Sequence, residues 1–173
     1  MSQPVRIAYL VMGAGVLLAR ALLAQGSLPT TVEFAPAVTA QLHGEFGDRE
    51  AQVLRAAILA ALSKQERHHS VPDGLTLKVT VRGLMPTHPT MQQQLDNPSL
   101  SAVRTRYLGG ADLEGEVRDS KQQLLASVDY RNFADVLAAD APSVDPWADA
   151  RQSIDAFAAK LAASWDKLPR STS

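Results

Sequence analysis

Residues 75–82 alternate apolar and polar side chains without interruption, as Leu-Thr-Leu-Lys-Val-Thr-Val-Arg. Successive side chains of an extended strand point to opposite faces, so the four apolar residues share one face and the four polar residues share the other. A strand of this kind belongs to a sheet that is buried on one side and meets water on the other. The rest of the chain must therefore supply an apolar layer for one face of a sheet.

The same alternation returns elsewhere in the chain. Residues 111–118 alternate, residues 119–122 form a turn by their composition, and a return strand places Leu124, Ala126, Val128 and Tyr130 on one face. Residues 30–34 predict one further strand, with Val32 on its apolar side. These patterns predict a mostly antiparallel sheet that contains one hairpin.

Two segments have the period of an amphipathic helix. The first runs from about residue 48 to residue 64, and the second begins at Asp145-Pro146, where an N-cap aspartate precedes a proline. The element order β-α-β-β-β-α predicts an α+β fold: a two-layer sandwich with both amphipathic helices on one face of the sheet. The second helix carries an apolar stripe of Trp147, Ala150, Ile154, Phe157, Ala158, Leu161 and Trp165.

A long connection without a predicted helix or strand separates the two halves. It spans about residues 83–106 and contains three prolines and three consecutive glutamines, Gln92, Gln93 and Gln94. Connections of this length are uncommon in compact domains and are usually functional or mobile. We therefore predict a functional or mobile loop in this segment.

The N-terminus has the pattern of an export signal. Arg6 precedes residues 7–19, which carry no charge, and this run is shorter than the roughly 20 residues that span a bilayer. Cleavage is predicted after Ala21 or Ala24, and an uncleaved membrane anchor is the alternative. The pattern predicts a signal peptide over residues 1–24, a single domain over residues 25–173, and a location in the periplasm or cell envelope.

Composition excludes several classes of function. The chain has no cysteine, so it forms no disulfide, no thiolate metal site and no lipid anchor on cysteine. A formal net charge of -1 at pH 7 argues against a nucleic-acid partner, since such partners usually require a basic surface. We predict no cofactor, and membrane contact only through the N-terminal segment if it is not cleaved.

Four segments carry a family resemblance. They are V-T-V-R-G-L-M-P-T-H-P at 79–89, G-G-A-D-L-E-G-E-V-R-D-S at 109–120, L-L-A-S-V-D at 124–129, and the tryptophan-containing helix at 147–168. Together they resemble a family of uncharacterised proteobacterial envelope proteins, many of them lipoproteins, over roughly residues 30–168. The resemblance implies an envelope location and this fold, and it implies no catalytic residue. The missing cysteine departs from the lipoprotein members and favours a soluble periplasmic form.

Two sets of residues have chemistry that an enzyme or carrier would need. Histidines at four positions could bind a metal with Asp73 or Asp96, but no spacing typical of a zinc site is present, so solvated histidines are the favoured interpretation. The histidines are His43, His68, His69 and His88. Ser99 and Ser101 share the long loop with His88, which is the one indication of a hydrolase, although no nucleophile motif accompanies it.

Two further patterns have a functional and a structural interpretation. Asp112, Glu114 and Glu116 line one strand face near Asp129, where carboxylates could act as acid and base or bind Ca²⁺. A solvated sheet face is favoured, with the carboxylates offset by Lys78, Arg82, Arg118 and Arg131 across strands. The two tryptophans could form a stacking platform, but their helical spacing favours a place in the core.

The leading hypothesis is a noncatalytic periplasmic or envelope protein that binds another envelope component. Its partner is an envelope protein or a small ligand, bound through the polar sheet face or the long loop. The alternatives are a small periplasmic hydrolase and a metal or small-ligand carrier. The predicted partner surface consists of Met85, His88, Gln92, Gln93, Asp112, Glu114 and Glu116.

Overall fold

The computed structural model describes residues 28–136 and 144–168, so the predicted signal peptide lies outside the described residues. Four strands form one sheet in the order β1-β2-β3-β4. The strands are β1 (Thr30–Phe34), β2 (Thr76–Met85), β3 (Gly110–Arg118) and β4 (Leu124–Phe133). β1 runs parallel to β2, and the other two pairs are antiparallel, which confirms the mostly antiparallel sheet.

A parallel pair needs a crossover between its strands, and the first helical region supplies it. This region begins at Pro36, whose ring suits the first position of a helix. It consists of α1 (Pro36–Gln41), a π-helical turn (Leu42–Phe46) and α2 (Asp48–Glu66). The second half adds α3 (Met91–Asp96) and α4 (Ala148–Trp165). The α+β class and the order of the main elements are confirmed.

The core lies between one face of the sheet and the pair α2 and α4. α4 packs on β3 and β4, and α2 packs beside it and contacts β1. Every residue of the predicted α4 stripe is buried, including both tryptophans at 1% exposure, so their place in the core is confirmed. The ring of Trp147 meets the ring of Phe46 edge-on, with centroids 5.5 Å apart.

The connection after β2 differs from the predicted loop. β2 continues to Met85, and α3 occupies the middle of the segment. Residues 86–90 are buried, which is unusual for a mobile loop. Thr90 starts α3 with a capping box: its hydroxyl accepts from the Gln93 N–H, and the Gln93 side chain accepts from the Thr90 N–H. The first part of this segment is therefore ordered structure packed against the domain.

Among the described residues, no helix combines the length and the apolar character that a membrane span requires.

Candidate functional site

The side of the sheet that faces away from α2 and α4 is the outer face. Alternation along β2 and β3 buries every second side chain against the helices and sends the others outward. The predicted contrast between a buried and a wet face is therefore present. The charged residues of the outer face are Glu33, Lys78, Arg82, Asp112, Glu114, Glu116, Arg118, Asp129 and Arg131.

Arg82 is the centre of the main ion-pair network. A register shift between Val81 and Gly83 marks a bulge in β2, and Arg82 lies within it. Its guanidinium lies 2.8 Å from Asp112, 2.6 Å from Asp129 and 3.6 Å from Glu114. The hydrogen bond to Asp112 raises the pKa of Arg82 above its usual range. One cation of β2 thus joins carboxylates of β3 and β4.

A second group of charges lies towards the other end of the face. The Arg118 guanidinium is 3.0 Å from Glu116, and the Lys78 ammonium is 2.9 Å from Glu33. The hydrogen bond to Glu33 raises the pKa of Lys78. These side chains line a shallow concavity of about 590 Å³ together with residues of the β1 start and the hairpin turn.

The outer-face carboxylates are held by cations of the same sheet. Asp112, Glu114 and Asp129 share Arg82, while Glu116 and Glu33 each have their own cation. A carboxylate oxygen that already accepts from a guanidinium has fewer free lone pairs to offer a Ca²⁺ ion. The geometry therefore supports the solvated sheet face over the Ca²⁺ interpretation.

An aromatic side chain, Phe133, lies beside the Arg82 network, next to Gly83 and Asp112. Phe133 projects from β4 across the outer face: a Cβ at Gly83 would lie 3.5 Å from its ring and 3.3 Å from Asp112 Cβ. The Arg131 guanidinium carbon is 5.3 Å from the centroid of the Phe133 ring. Met85 of β2 is 40% exposed at the same end of the sheet. Met85, Arg131 and Phe133 together form the anchor cluster.

The structure brings only some of the predicted partner residues together. Met85, Asp112, Glu114 and Glu116 share the outer face. Gln92 and Gln93 instead lie on α3 beside the π-helical turn, where the Gln93 amide donates to Glu45 at 3.2 Å. Phe133 also lies on this surface, although it was not among the predicted partner residues. Continued alternation along β4 was the signal that places it there.

His88 is a correction to the predicted surface. Its side chain is 1% exposed, so it is buried and does not reach a partner at the surface. The Nδ1 atom lies 3.1 Å from the carbonyl oxygen of Thr105, which ties the two ends of the α3 segment together. The residue was misplaced because a segment rich in proline and glutamine looked like an exposed loop, whereas its first residues pack into the domain.

The metal-site hypothesis gains no support from the described residues. His43 contacts Asp48, His69 Nδ1 is 2.9 Å from Asp166, and His88 contacts a backbone carbonyl. These places lie on different elements, and none of the pairs includes Asp73 or Asp96. No group of three or more potential metal ligands occurs within residues 28–136 and 144–168.

The residues of the hydrolase hypothesis serve local turns. The Ser99 hydroxyl lies 2.6 Å from Asn97 Oδ1, and the Ser101 hydroxyl accepts from the N–H groups of Val103 and Arg104. His88 is buried and contacts Thr105. In the described part of the chain, no hydrogen bond joins either serine to the imidazole, so the arrangement needed to activate a hydroxyl is not formed.

Comparisons with models of protein families, with curated proteins and with solved structures find no match to this chain. The resemblance to envelope proteins therefore stays a prediction.

Proposed function

We propose that the chain is a noncatalytic binding protein of the bacterial envelope, and that it holds another envelope protein against its outer sheet face. The observation that carries the proposal is the anchor cluster beside the Arg82 network. It combines a half-buried aromatic ring, a guanidinium and an exposed thioether on a sheet face that the two main helices leave open.

The chemistry of these side chains suits a protein partner. Phenylalanine, methionine and arginine are enriched in protein interfaces, where an aromatic side chain commonly anchors the centre. The neighbouring ion pairs are exposed and partly solvated, so they contribute more to selection of a partner than to affinity. A partner that covers Phe133 would gain apolar contact, while the Arg82 network would fix its orientation.

The envelope location rests on the basic and apolar pattern of residues 6–19. It is proposed together with the binding role, and it has its own test. Cells that produce the full chain are separated into cytosolic, periplasmic and membrane fractions, and the N-terminus of the chain in each fraction is identified by mass spectrometry. An N-terminus at residue 22 or 25 in the periplasmic fraction supports export, whereas the intact chain in the cytosolic fraction contradicts it.

Site-specific crosslinking tests the binding role. A photo-crosslinking amino acid replaces Asp135, an exposed residue two positions after Phe133, in one variant and Lys121, at the hairpin turn, in a control. We expect position 135 to yield a discrete adduct with one envelope protein and position 121 to yield none. Phe133→Ser should abolish the adduct, while Leu125→Ser, at the other end of β4, should leave it unchanged. Equal adducts from both positions, or an adduct that persists in Phe133→Ser, would contradict the proposal.

A further inference from the structure

The strand β1 lies at one edge of the sheet and directs the backbone groups of alternate residues outward, where the Phe34 carbonyl accepts from the Thr39 hydroxyl at 3.3 Å. The Leu77 N–H donates to the Pro29 carbonyl at 2.9 Å, and the Ala35 N–H donates to the Val81 carbonyl at 2.9 Å. Alternate residues of a strand direct their backbone groups to the same side. The odd-numbered residues therefore pair with β2, and Thr30, Val32 and Phe34 direct theirs away from it. No further strand of the described chain pairs with this edge.

The opposite edge of the sheet is β4, and a lysine of α4 covers it. The Lys160 ammonium of α4 donates to the Asp129 carbonyl at 3.2 Å and lies 5.8 Å from the centroid of the Tyr130 ring. A lysine over an edge strand is a common protection against pairing with another chain. β1 instead has a valine at its centre, so β1 is the edge that is better suited to accept another strand.

A cleft of about 400 Å³ follows the inner side of this edge. Val32 and Phe34 of β1 and Leu42 and Ala51 of the crossover form its apolar wall. Arg55 lies at its rim, with its guanidinium carbon 5.3 Å from the centroid of the Phe34 ring. A strand added beside β1 would place its inward side chains over this cleft.

The flank of α2 that faces this edge carries an exposed leucine. Ala57, Ala60 and Lys64 line a cleft with residues of α4, so they mark the opposite flank. With about 100° between successive helix residues, Arg55, Leu59 and Glu66 lie on the edge side. Leu59 is 38% exposed there, in the middle of the helix.

Two contacts fix the level of Leu59 relative to β1. Arg55 stacks on Phe34, and the Glu66 carboxylate lies beside the backbone of Leu28. α2 therefore runs opposite to β1. Each residue of a helix or strand adds a constant rise along its axis. Leu59 therefore lies about a third of the way along α2 from Arg55 to Glu66. Val32 lies about a third of the way along the matching stretch of β1, from Phe34 back to Leu28. Leu59 and Val32 thus lie at the same level along the edge.

We propose that this edge is a self-association surface: a second copy of the chain pairs antiparallel with β1 about a two-fold axis that passes near Val32 and Leu59. The two four-stranded sheets then continue as one. Val32 faces the partner's Val32, and the two α2 helices run antiparallel past each other and meet at Leu59. A two-fold interface requires this kind of self-complementary patch.

The charges on the α2 flank match in the same arrangement. Antiparallel helices bring the half of one α2 that carries Arg55 beside the half of the other that carries Glu66. On the outer face, Thr31 lies opposite the partner's Glu33, so no like charges face each other directly. Charge complementarity therefore favours a second copy as the occupant of this edge.

The absence of cysteine makes a direct test clean, because every introduced thiol is unique. Leu59→Cys is produced in the full chain and oxidised in cell extracts, and Ala60→Cys is the matched control. Both positions are exposed, and they are adjacent, but they lie on different flanks of α2. We expect Leu59→Cys to form a disulfide-linked dimer and Ala60→Cys to form none. Equal crosslinking of the two, or none in Leu59→Cys, would overturn the proposal.

Light scattering on the purified full chain gives an independent measurement. We expect twice the chain mass for the wild type and the single chain mass for Leu59→Lys, because two lysines would repel at the axis. The change is at an exposed position, so the circular dichroism spectrum should not change. A wild type that stays monomeric, or a dimer that survives Leu59→Lys, would overturn the proposal. The outcome does not depend on the partner proposed for the outer face, because none of the anchor cluster residues belongs to β1 or α2.

Discussion

The hydroxyl oxygen of Thr87 accepts a hydrogen bond of 3.0 Å from the backbone N–H of Asp149 in the first turn of α4. The N-cap residue, Trp147, supplies no side-chain cap of its own. The first N–H groups of a helix have no partner within the helix, so Thr87 satisfies one of them from a distant part of the sequence. The Thr87 N–H also donates to the Pro146 carbonyl at 2.6 Å. The segment after β2 thus holds the start of α4 in place.

Thr87→Val should lower the free energy of unfolding by about 1–2 kcal/mol, since the shape is kept and the cap of a buried N–H is lost. Thr80→Val, on the outer face of β2, is the control and should change it by less than about 0.5 kcal/mol. Urea unfolding followed by circular dichroism measures both. Equal values for the two variants would show that Thr87 does not act as a cap.

The elements with a clear period could be predicted from the sequence, and the segment that joins them could not. Alternation along β2 and β3 and the apolar stripe of α4 depend on local spacing, and the structure confirms them. α3 was missed because six residues are too few to show a helical period. The capping box from Thr90 to Gln93 was the available signal.

The same limit applies to the candidate site. The carboxylates of β3 were placed correctly on a wet face, because strand alternation decides it. The burial of His88 and the capping role of Thr87 depend on contacts with residues far along the chain, Thr105 and Asp149. The parallel pairing of β1 with β2 is likewise a property of the crossover, so local patterns do not specify it.

Gly115→Ala should destabilise the fold by about 1–3 kcal/mol, the usual range for overpacking a core. A Cβ at this position of β3 would lie 2.8 Å from the Phe157 ring and 3.0 Å from a Leu161 methyl group, so α4 would have to move. Gly44→Ala is the control, because its Cβ would meet nothing within 4 Å. Thermal unfolding of both variants measures the difference, and equal melting temperatures would contradict close packing of α4 on β3.

The two buried tryptophans should respond differently to replacement by phenylalanine. The Trp147 indole N–H donates to Glu50 at 2.6 Å, whereas the Trp165 indole N–H has no hydrogen-bond partner in the described residues. Hydrogen bonds to charged groups contribute about 1.5–3 kcal/mol. Trp147→Phe should therefore lower the free energy of unfolding more than Trp165→Phe, by at least about 1 kcal/mol. Urea unfolding measures both variants, and a larger loss for Trp165→Phe would contradict this account.

Arg82→Gln should lower the free energy of unfolding by about 1 kcal/mol at most, because the network is exposed and solvent screens it. The loss arises because Asp112, Glu114 and Asp129 then face one another without their shared cation. Arg131→Gln is the control, since Arg131 is 74% exposed and reaches Asp112 at 3.7 Å. The difference in unfolding free energy between Arg82→Gln and Arg131→Gln should shrink in about 1 M NaCl, where the Debye length falls to roughly 3 Å. Urea unfolding at low and high salt measures it, and an unchanged difference would show that the loss of Arg82 acts through packing rather than charge.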